Sequence, residues 1–205
     1  MNDTPTREAV VPRLRGRFGR VYTYIARTAS TQRLLPADAP EGAVVVADEQ
    51  TEGRGRLGRS WQAPAGTSVL CSVLLRPHVE AAGFPELTLV GAEACAEAIA
   101  AVTALRAALK EPNDVLLNGR KVAGILGEAN EGRVVLGIGI NVNMAEHDLP
   151  TGTRLPATSL LLETGMPVDR VELLVALLAA LERRYEDWLR AASRPATRPC
   201  CRARR

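Results

Sequence analysis

The sequence predicts an α+β domain, a mixed and mostly antiparallel sheet flanked by helices. Three observations predict it. Strand-like and helix-like stretches are mixed without the regular strand-helix-strand alternation of a parallel sheet. The pair Asn118-Gly119 separates two apolar runs, the strongest short-range signal for a two-residue hairpin. Two long segments, 86–109 and 168–189, repeat apolar residues at spacings of three and four, so each carries one helical face for a sheet. With 205 residues and 46% hydrophobic content, the chain has enough apolar surface for a core. The domain is expected over 21–190, between a basic N-terminal extension (1–20) and a basic, irregular tail (191–205).

The first strand is read from VYTYI (21–25), before RTASTQRLL, where Ser30 or Thr31 would cap a short helix ahead of Pro36. AVVVAD (43–48) reads as a buried strand and SVLCSVLLR (68–76) as another. The loop between them, 49–67, carries glycines at 53, 55, 58 and 66 and arginines at 54, 56 and 59. Leu87, Val90, Ala94, Ala98, Ala101 and Leu105 make one stripe of a helix expected over 86–109, widened by Cys95, Ile99 and Val102. DVLLNGRKVAGILGE (114–128) is the hairpin and RVVLGIGINVN (133–143) the next strand. Val171, Leu174, Val175, Leu178, Leu181, Tyr185 and Trp188 line one side of the last helix, expected over 168–189.

Composition excludes several functions. The net charge of +3 belongs to the ends: 190–205 holds six Arg and no acid, and 1–20 holds five Arg against Asp3 and Glu8. The remaining body has 15 basic and 21 acidic residues, a net −6. An RNA-associated protein, suggested by the Arg-rich ends and the GRGR element, fits poorly with that acidic body and with seven aromatics in all. No apolar run reaches the ~18 residues of a membrane span, and no apolar block follows the N-terminal arginines. His78 and His147 lack ligand-like neighbours and no C-x-x-C pair exists, which argues against zinc. Cys71 and Cys95 read as small buried hydrophobes; the adjacent Cys200 and Cys201 lie in the tail. A reducing, cytoplasmic compartment is expected. There are two lysines, Lys110 and Lys121.

The loop GRGRLGR (53–59) is neither a P-loop nor a dinucleotide fingerprint. It is a cationic loop in which glycines let backbone amides approach an anion and guanidinium groups match phosphate or carboxylate, with Trp61 behind it. In the hairpin, the Asn118-Gly119 turn sets Leu117 opposite Arg120, Leu116 opposite Lys121 and Asp114 opposite Ala123. Lys121, Leu116, Asp114 and Ala123 should then share one side, with Lys121 and Asp114 diagonal neighbours. Such a pair is either a surface ion pair or the floor of a polar pocket. Gly124 and Gly127, with Gly137 and Gly139 on a neighbouring strand, leave room for a ligand to approach the backbone. Together these features suggest a cleft for a small molecule with an anionic part.

Over roughly 21–190 the chain resembles biotin protein ligase, also called biotin–[acetyl-CoA-carboxylase] ligase. TASTQ (28–32) is similar to the family's S-T-N segment, and EQTEGRGRLGRSW (49–61) to its G-R-G-R-x-G-R-x-W loop. KEPNDVLLNGRKVAGIL (110–126) is similar to its K-W-P-N-D-V…G-x-K-x-A-G-I-L, and GIGINVN (137–143) to its G-x-G-x-N-V-N. Lipoate ligases and octanoyl transferases share the fold without the G-R-G-R-x-G-R loop and form the second reading; a biotin-binding paralogue with impaired transfer is the third.

The resemblance implies the class II aminoacyl-tRNA synthetase-like catalytic fold and a two-step reaction. Biotin and ATP·Mg²⁺ give biotinyl-5′-AMP and pyrophosphate, and the acyl group then passes to one lysine of a biotin carboxyl carrier protein. It implies that Ser30, Thr31 and Gln50 bind the ureido ring, and that Gly53 through Arg56 close over the biotin tail and adenylate. Arg54 and Arg56 would meet phosphate or carboxylate. Lys121 would be the catalytic lysine, contacting the biotin carboxylate and α-phosphate. Gly124 and Gly137 would border the biotin slot. Arg54, Arg59, Trp61, Lys110, Asn113 and Asn141 would lie on the nucleotide side, and Asp114 would meet the metal or the incoming carrier lysine. A homodimer through the sheet edge is also compatible with the resemblance.

The chain departs from the family in two places. Glu111 stands where the family has Trp, a charge in place of a large ring. Family members usually continue into a small β-barrel domain where this chain has AASRPATRPCCRARR (191–205), which reads as a natural short form or as translation in a shifted frame. Residues 1–20 are too few for a helix-turn-helix, so no DNA-binding repressor role is expected.

Overall fold

Alternation along the central strands decides which side of the sheet takes helices and which takes the site. The computed structural model describes residues 3–79 and 81–193. Its strands are β1 (Tyr22–Thr28), β2 (Val44–Gln50), β3 (Ser68–Leu75), β4 (Ala108–Lys110), β5 (Asp114–Leu117), β6 (Arg120–Asn130) and β7 (Arg133–Asn141). The α-helices are α1 (Arg7–Val10), α2 (Glu86–Thr103), α3 (Leu160–Thr164) and α4 (Arg170–Ala192). The seven strands form one sheet in the order β1-β2-β3-β7-β6-β5-β4, in which β1 and β2 run parallel and every other pair is antiparallel. The mixed, mostly antiparallel α+β class expected from sequence is the observed one.

On one face Val69, Cys71, Val73 and Leu75 of β3, Leu136, Ile138 and Ile140 of β7, and Ile125 of β6 join a single core with α2 and α4. Gly91 lets α2 sit close to that face: a Cβ there would lie 3.0 Å from Leu136 and 3.1 Å from Ile125. The intervening residues Ser72, Gly137, Gly139 and Gly124 point the other way, because side chains alternate along a strand. GIGIN therefore encodes two surfaces, isoleucine toward the helices and glycine toward the cavity.

Three sequence expectations need correction. The apolar stripe over 86–109 overruns the helix: α2 ends at Thr103, and Ala104 closes it in a left-handed conformation with its N–H on Ala100 O. Residues 108–110 pair with β5 instead, so tertiary pairing overrides a local pattern that continues through Leu105. Neither Ser30 nor Thr31 caps the turn at Thr31–Leu34 through its side chain; the Thr31 hydroxyl bonds Ser72 Oγ at 2.7 Å. The segment expected as a basic extension contributes Val10 and Phe18 to the core, α1 included. Residues 194–205 of the tail, with Cys200 and Cys201, lie outside the described residues.

Cys71 and Cys95 are free thiols in the core, as expected. Burial pushes the Cys71 thiol up to about 12 and the Cys95 thiol well above its ordinary value. Arg170, buried at the start of α4, is held by Asp3 at 3.0 Å and Asp48 at 2.7 Å. Burial opposes its charge, but the two carboxylates outweigh that and raise its pKa. This cluster ties the N-terminal segment and α4 to β2, two residues before Gln50.

Candidate functional site

The cavity on the glycine face holds about 630 Å³, within the range of small-molecule sites. The sheet order gives it two ends of different chemistry. At the β2 end lie Ser30, Thr31 and Gln50, with Gln32 reaching across β7 to β6. Gln50 Oε1 accepts from the Thr31 N–H at 2.8 Å and the Thr31 hydroxyl at 3.1 Å, which leaves its Nε2 on the side of Gly53. Gln32 donates to Leu126 O at 3.2 Å and lies on Gly137, where a Cβ would come within 2.9 Å of its Cδ. At the β6 end are Lys121, Asp114, Asn113, Arg56, Arg59 and Arg154. Three strand spacings separate β2 from β6, about 14 Å. One end is neutral and hydrogen-bonding, the other cationic. Of the described lining residues Asp114 is the single acid, against Lys121 and four arginines at 54, 56, 59 and 154.

Lys121 Nζ lies 2.5 Å from Asp114 Oδ1, so the pair expected from the hairpin forms. The register that brings them together is different from the expected one. The ladder shifts between Val115 and Leu116, setting Asp114 opposite Gly124 and Val115 opposite Ala123. Val122 and Ala123 both enter the core, so Ala123 does not share the lysine's side; Gly124 does, and a Cβ there would lie 3.1 Å from Lys121 Nζ. A bulge of this kind re-aims one side chain without breaking the strand. Here it keeps the lysine on the cavity face.

The GRGRLGR loop folds back on itself as a tight hairpin. Gly55 N–H donates to Arg59 O at 2.7 Å and Trp61 N–H to Gly53 O at 2.8 Å, with residues 54 and 60 bridged. Gly53 is required by this approach, since a Cβ would lie 2.3 Å from Trp61 O. The tip is Leu57, left-handed at φ 58° and 89% exposed, followed by left-handed Gly58. The return strand lays Trp61 on the glycine floor, with its ring 5.6 Å from Lys121 Nζ. Its Nε1 is buried with no hydrogen-bond partner among the described residues.

Gly139 makes that stacking possible, because a Cβ there would lie 2.6 Å from Trp61 Cε2. Gly139→Ala should lift the ring into water. Measured in a Trp188→Phe background, so that Trp61 alone reports, its fluorescence should shift to the red; an unchanged spectrum would mean that the ring does not rest on Gly139.

Of the residues expected at the site, Ser30, Thr31, Gln50, Arg54, Arg56, Arg59, Trp61, Asn113, Asp114, Lys121, Gly124, Gly137 and Asn141 line this cavity. Gly53 lies at the adjoining smaller hollow beneath the loop. Lys110 does not line the cavity: it closes the edge strand β4 opposite Asp114. Arg54 reaches the rim, but its guanidinium pairs with Glu128 at 2.7 Å. Asn113 donates to Ile125 O at 3.1 Å and accepts from Arg56 at 3.5 Å; Asn141 donates to Thr158 O at 2.9 Å. Both asparagines thus spend their side chains on holding the site's walls. Glu111 is exposed in the turn before β5. The segment 150–155, with Arg154, forms a wall that sequence reasoning missed, although an arginine in a Pro-bounded Gly/Thr stretch was a readable sign of a binding loop.

This mixed seven-stranded sheet flanked by helices matches the catalytic-domain fold of biotin protein ligases. Biotin protein ligase from Aquifex aeolicus in complex with biotin and ATP matches it with a TM-score of 0.76 at 34% identity, over 84% of this chain and 73% of that one. The sequence model of the biotin/lipoate A/B protein ligase family matches residues 24–145. The chain belongs to that family. It is 41% identical to the biotin–[acetyl-CoA-carboxylase] ligase of Paracoccus denitrificans, over 78% of this chain and 70% of the relative. It is equally 41% identical to the bifunctional ligase/repressor BirA of Bacillus spizizenii over 78% of this chain, where it covers 52% of the relative, about half its length. Among the described residues no helix is long and apolar enough to cross a membrane.

Proposed function

We propose that this cavity activates biotin with ATP and passes it to a lysine of a biotin carboxyl carrier protein. The observation that carries the reading is the Lys121–Asp114 pair at the junction of a neutral polar end and a cationic end. A ureido ring, with two N–H donors and one carbonyl acceptor, satisfies Ser30, Thr31 and Gln50. The valeryl chain crosses the sheet beside Gln32, which covers Gly137, and its carboxylate arrives at Lys121. The lipoate or octanoate reading is weaker on this ground: Gln50 Oε1 and the Thr31 donors already pair with each other, but an alkyl or dithiolane group would offer nothing to Gln50 Nε2, which a ureido carbonyl can engage.

In the first step a carboxylate oxygen of biotin attacks the α-phosphorus of ATP, and pyrophosphate leaves with the bonding pair. Lys121 holds the carboxylate and an α-phosphate oxygen together, and Arg56, Arg59 and Arg154 offset the charge on the phosphates. In the second step the carrier's neutral ε-amine attacks the acyl carbon and AMP leaves, with Asp114 as the acceptor of the amine's proton. Mg²⁺ would enter on the phosphates. Among the described residues no group of three His, Cys, Asp or Glu side chains could cage it. A lone Asp114 suits a cation that keeps its waters and phosphate oxygens.

The test is to mix protein, biotin, ATP·Mg²⁺ and apo carrier and to follow the products by mass spectrometry. Biotinyl-AMP and a carrier heavier by one biotinyl group are expected. Adenylate without carrier modification would place the defect in transfer, and neither product would refute the reading.

A further inference from the structure

Glu163, on the short helix α3, was not a candidate from sequence, yet its carboxylate is a junction beneath the hairpin. Its side chain is 3% exposed. Oε1 accepts from Arg120 at 2.7 Å and from the Thr158 hydroxyl at 2.7 Å, and Oε2 accepts from Asn118 at 2.7 Å. One carboxylate thereby gathers the β5–β6 turn residue, the residue before Lys121, and a wholly buried threonine.

Thr158 leads directly to the site. Its N–H donates to Lys121 O at 2.9 Å, while Lys121 N–H donates to Pro156 O at 2.7 Å, so residues 156–158 run as a parallel bridge along Lys121. β7 ends at Asn141, and this segment supplies the second edge that Lys121 would otherwise lack. Thr158 O also accepts from Asn141 Nδ2. The bulge that turns Lys121 toward Asp114 is a place where the ladder by itself leaves the backbone under-determined. Glu163 closes it from outside, through Arg120 on one side and Thr158 on the other.

We propose that Glu163 is a positioning residue: its carboxylate fixes the backbone of Lys121 through Thr158 and Arg120, and so aims the ammonium across the cavity without touching substrate. The proposal rests on the assignment of Lys121 as the lysine of adenylation. Glu163→Gln keeps shape and removes charge. It should lower kcat for biotin-dependent pyrophosphate release by about tenfold to a hundredfold, as expected of a misplaced catalytic group. The KM values for biotin and ATP should stay within about twofold, because the substrate contacts themselves remain.

The chain's two lysines allow a readout independent of activity. In protein labelled with ¹³C-lysine, the Lys121 Cε resonance, assigned from Lys121→Ala, should move in Glu163→Gln while that of Lys110 stays. Thr158→Val, which removes one of the three donors and leaves the charge, should move the same resonance by less; it decides the matter if Glu163→Gln does not fold. A folded Glu163→Gln with normal kcat and an unmoved Lys121 signal would overturn the proposal. Full activity in Lys121→Ala would instead refute the assignment of that lysine, and the Cε shift would still tell whether Glu163 positions it.

Discussion

Lys121→Ala is expected to abolish adenylate formation while leaving the protein folded. Among the described residues the ammonium is the one cation that reaches Asp114, at 2.5 Å, and also lies beside the glycine floor, so none of the other described cations takes its place without a shift of the backbone. Losing a preorganised charge at the reacting centre costs at least about a hundredfold to a thousandfold in rate. The fold should survive, because the side chain faces the cavity and the bonds from Lys121 to Pro156 and Thr158 are made by its backbone. Leaving Asp114 without its cation should cost about 1 to 3 kcal/mol, visible as a lowered melting temperature. Biotin-dependent pyrophosphate release measured beside a thermal melt checks both halves. Near-normal release would remove Lys121 from the chemistry.

Arg56→Gly should leave adenylate formation measurable but let the intermediate escape. Arg56 joins the cationic loop to the hairpin: its guanidinium reaches Asn113, and its carbonyl accepts from Arg59 N–H at 3.3 Å and Arg59 Nε at 3.1 Å. Glycine removes the first connection and the positive charge and adds backbone freedom next to Leu57, which already sits in the left-handed region. A loop that closes less firmly acts on dissociation, so free biotinyl-AMP should appear about tenfold faster or more. Separating free from protein-bound adenylate by rapid filtration checks it; unchanged retention would mean that the loop does not hold the intermediate.

Much of the site was legible because strand periodicity and turn chemistry are local. GIGIN alternates two residue types on two faces, and Asn-Gly fixes where a hairpin turns, so the glycine floor and the meeting of Lys121 with Asp114 follow from short stretches of chain. The bulge was not legible. Nothing in KVAG marks Val122 as the extra residue; it arises because both Val122 and Ala123 are drawn into the core. The end of α2 was hidden for a related reason, since Leu105 continues the helical stripe and still packs against the core although the helix has stopped. Arg154 and Glu163 were missed because their roles depend on where 150–163 lies against the hairpin, a contact between segments some forty residues apart. Lys110 was overvalued: a scarce residue type inside a specific motif need not point into the cavity.

The central claim is that the neutral end of the cavity selects a ureido ring and the cationic end joins its carboxylate to a nucleotide. Exchange of labelled pyrophosphate into ATP reads that step directly, without a carrier protein. Biotin should support exchange, and lipoate and octanoate at equal concentration should not. Exchange driven by lipoate or octanoate but not by biotin would contradict the account.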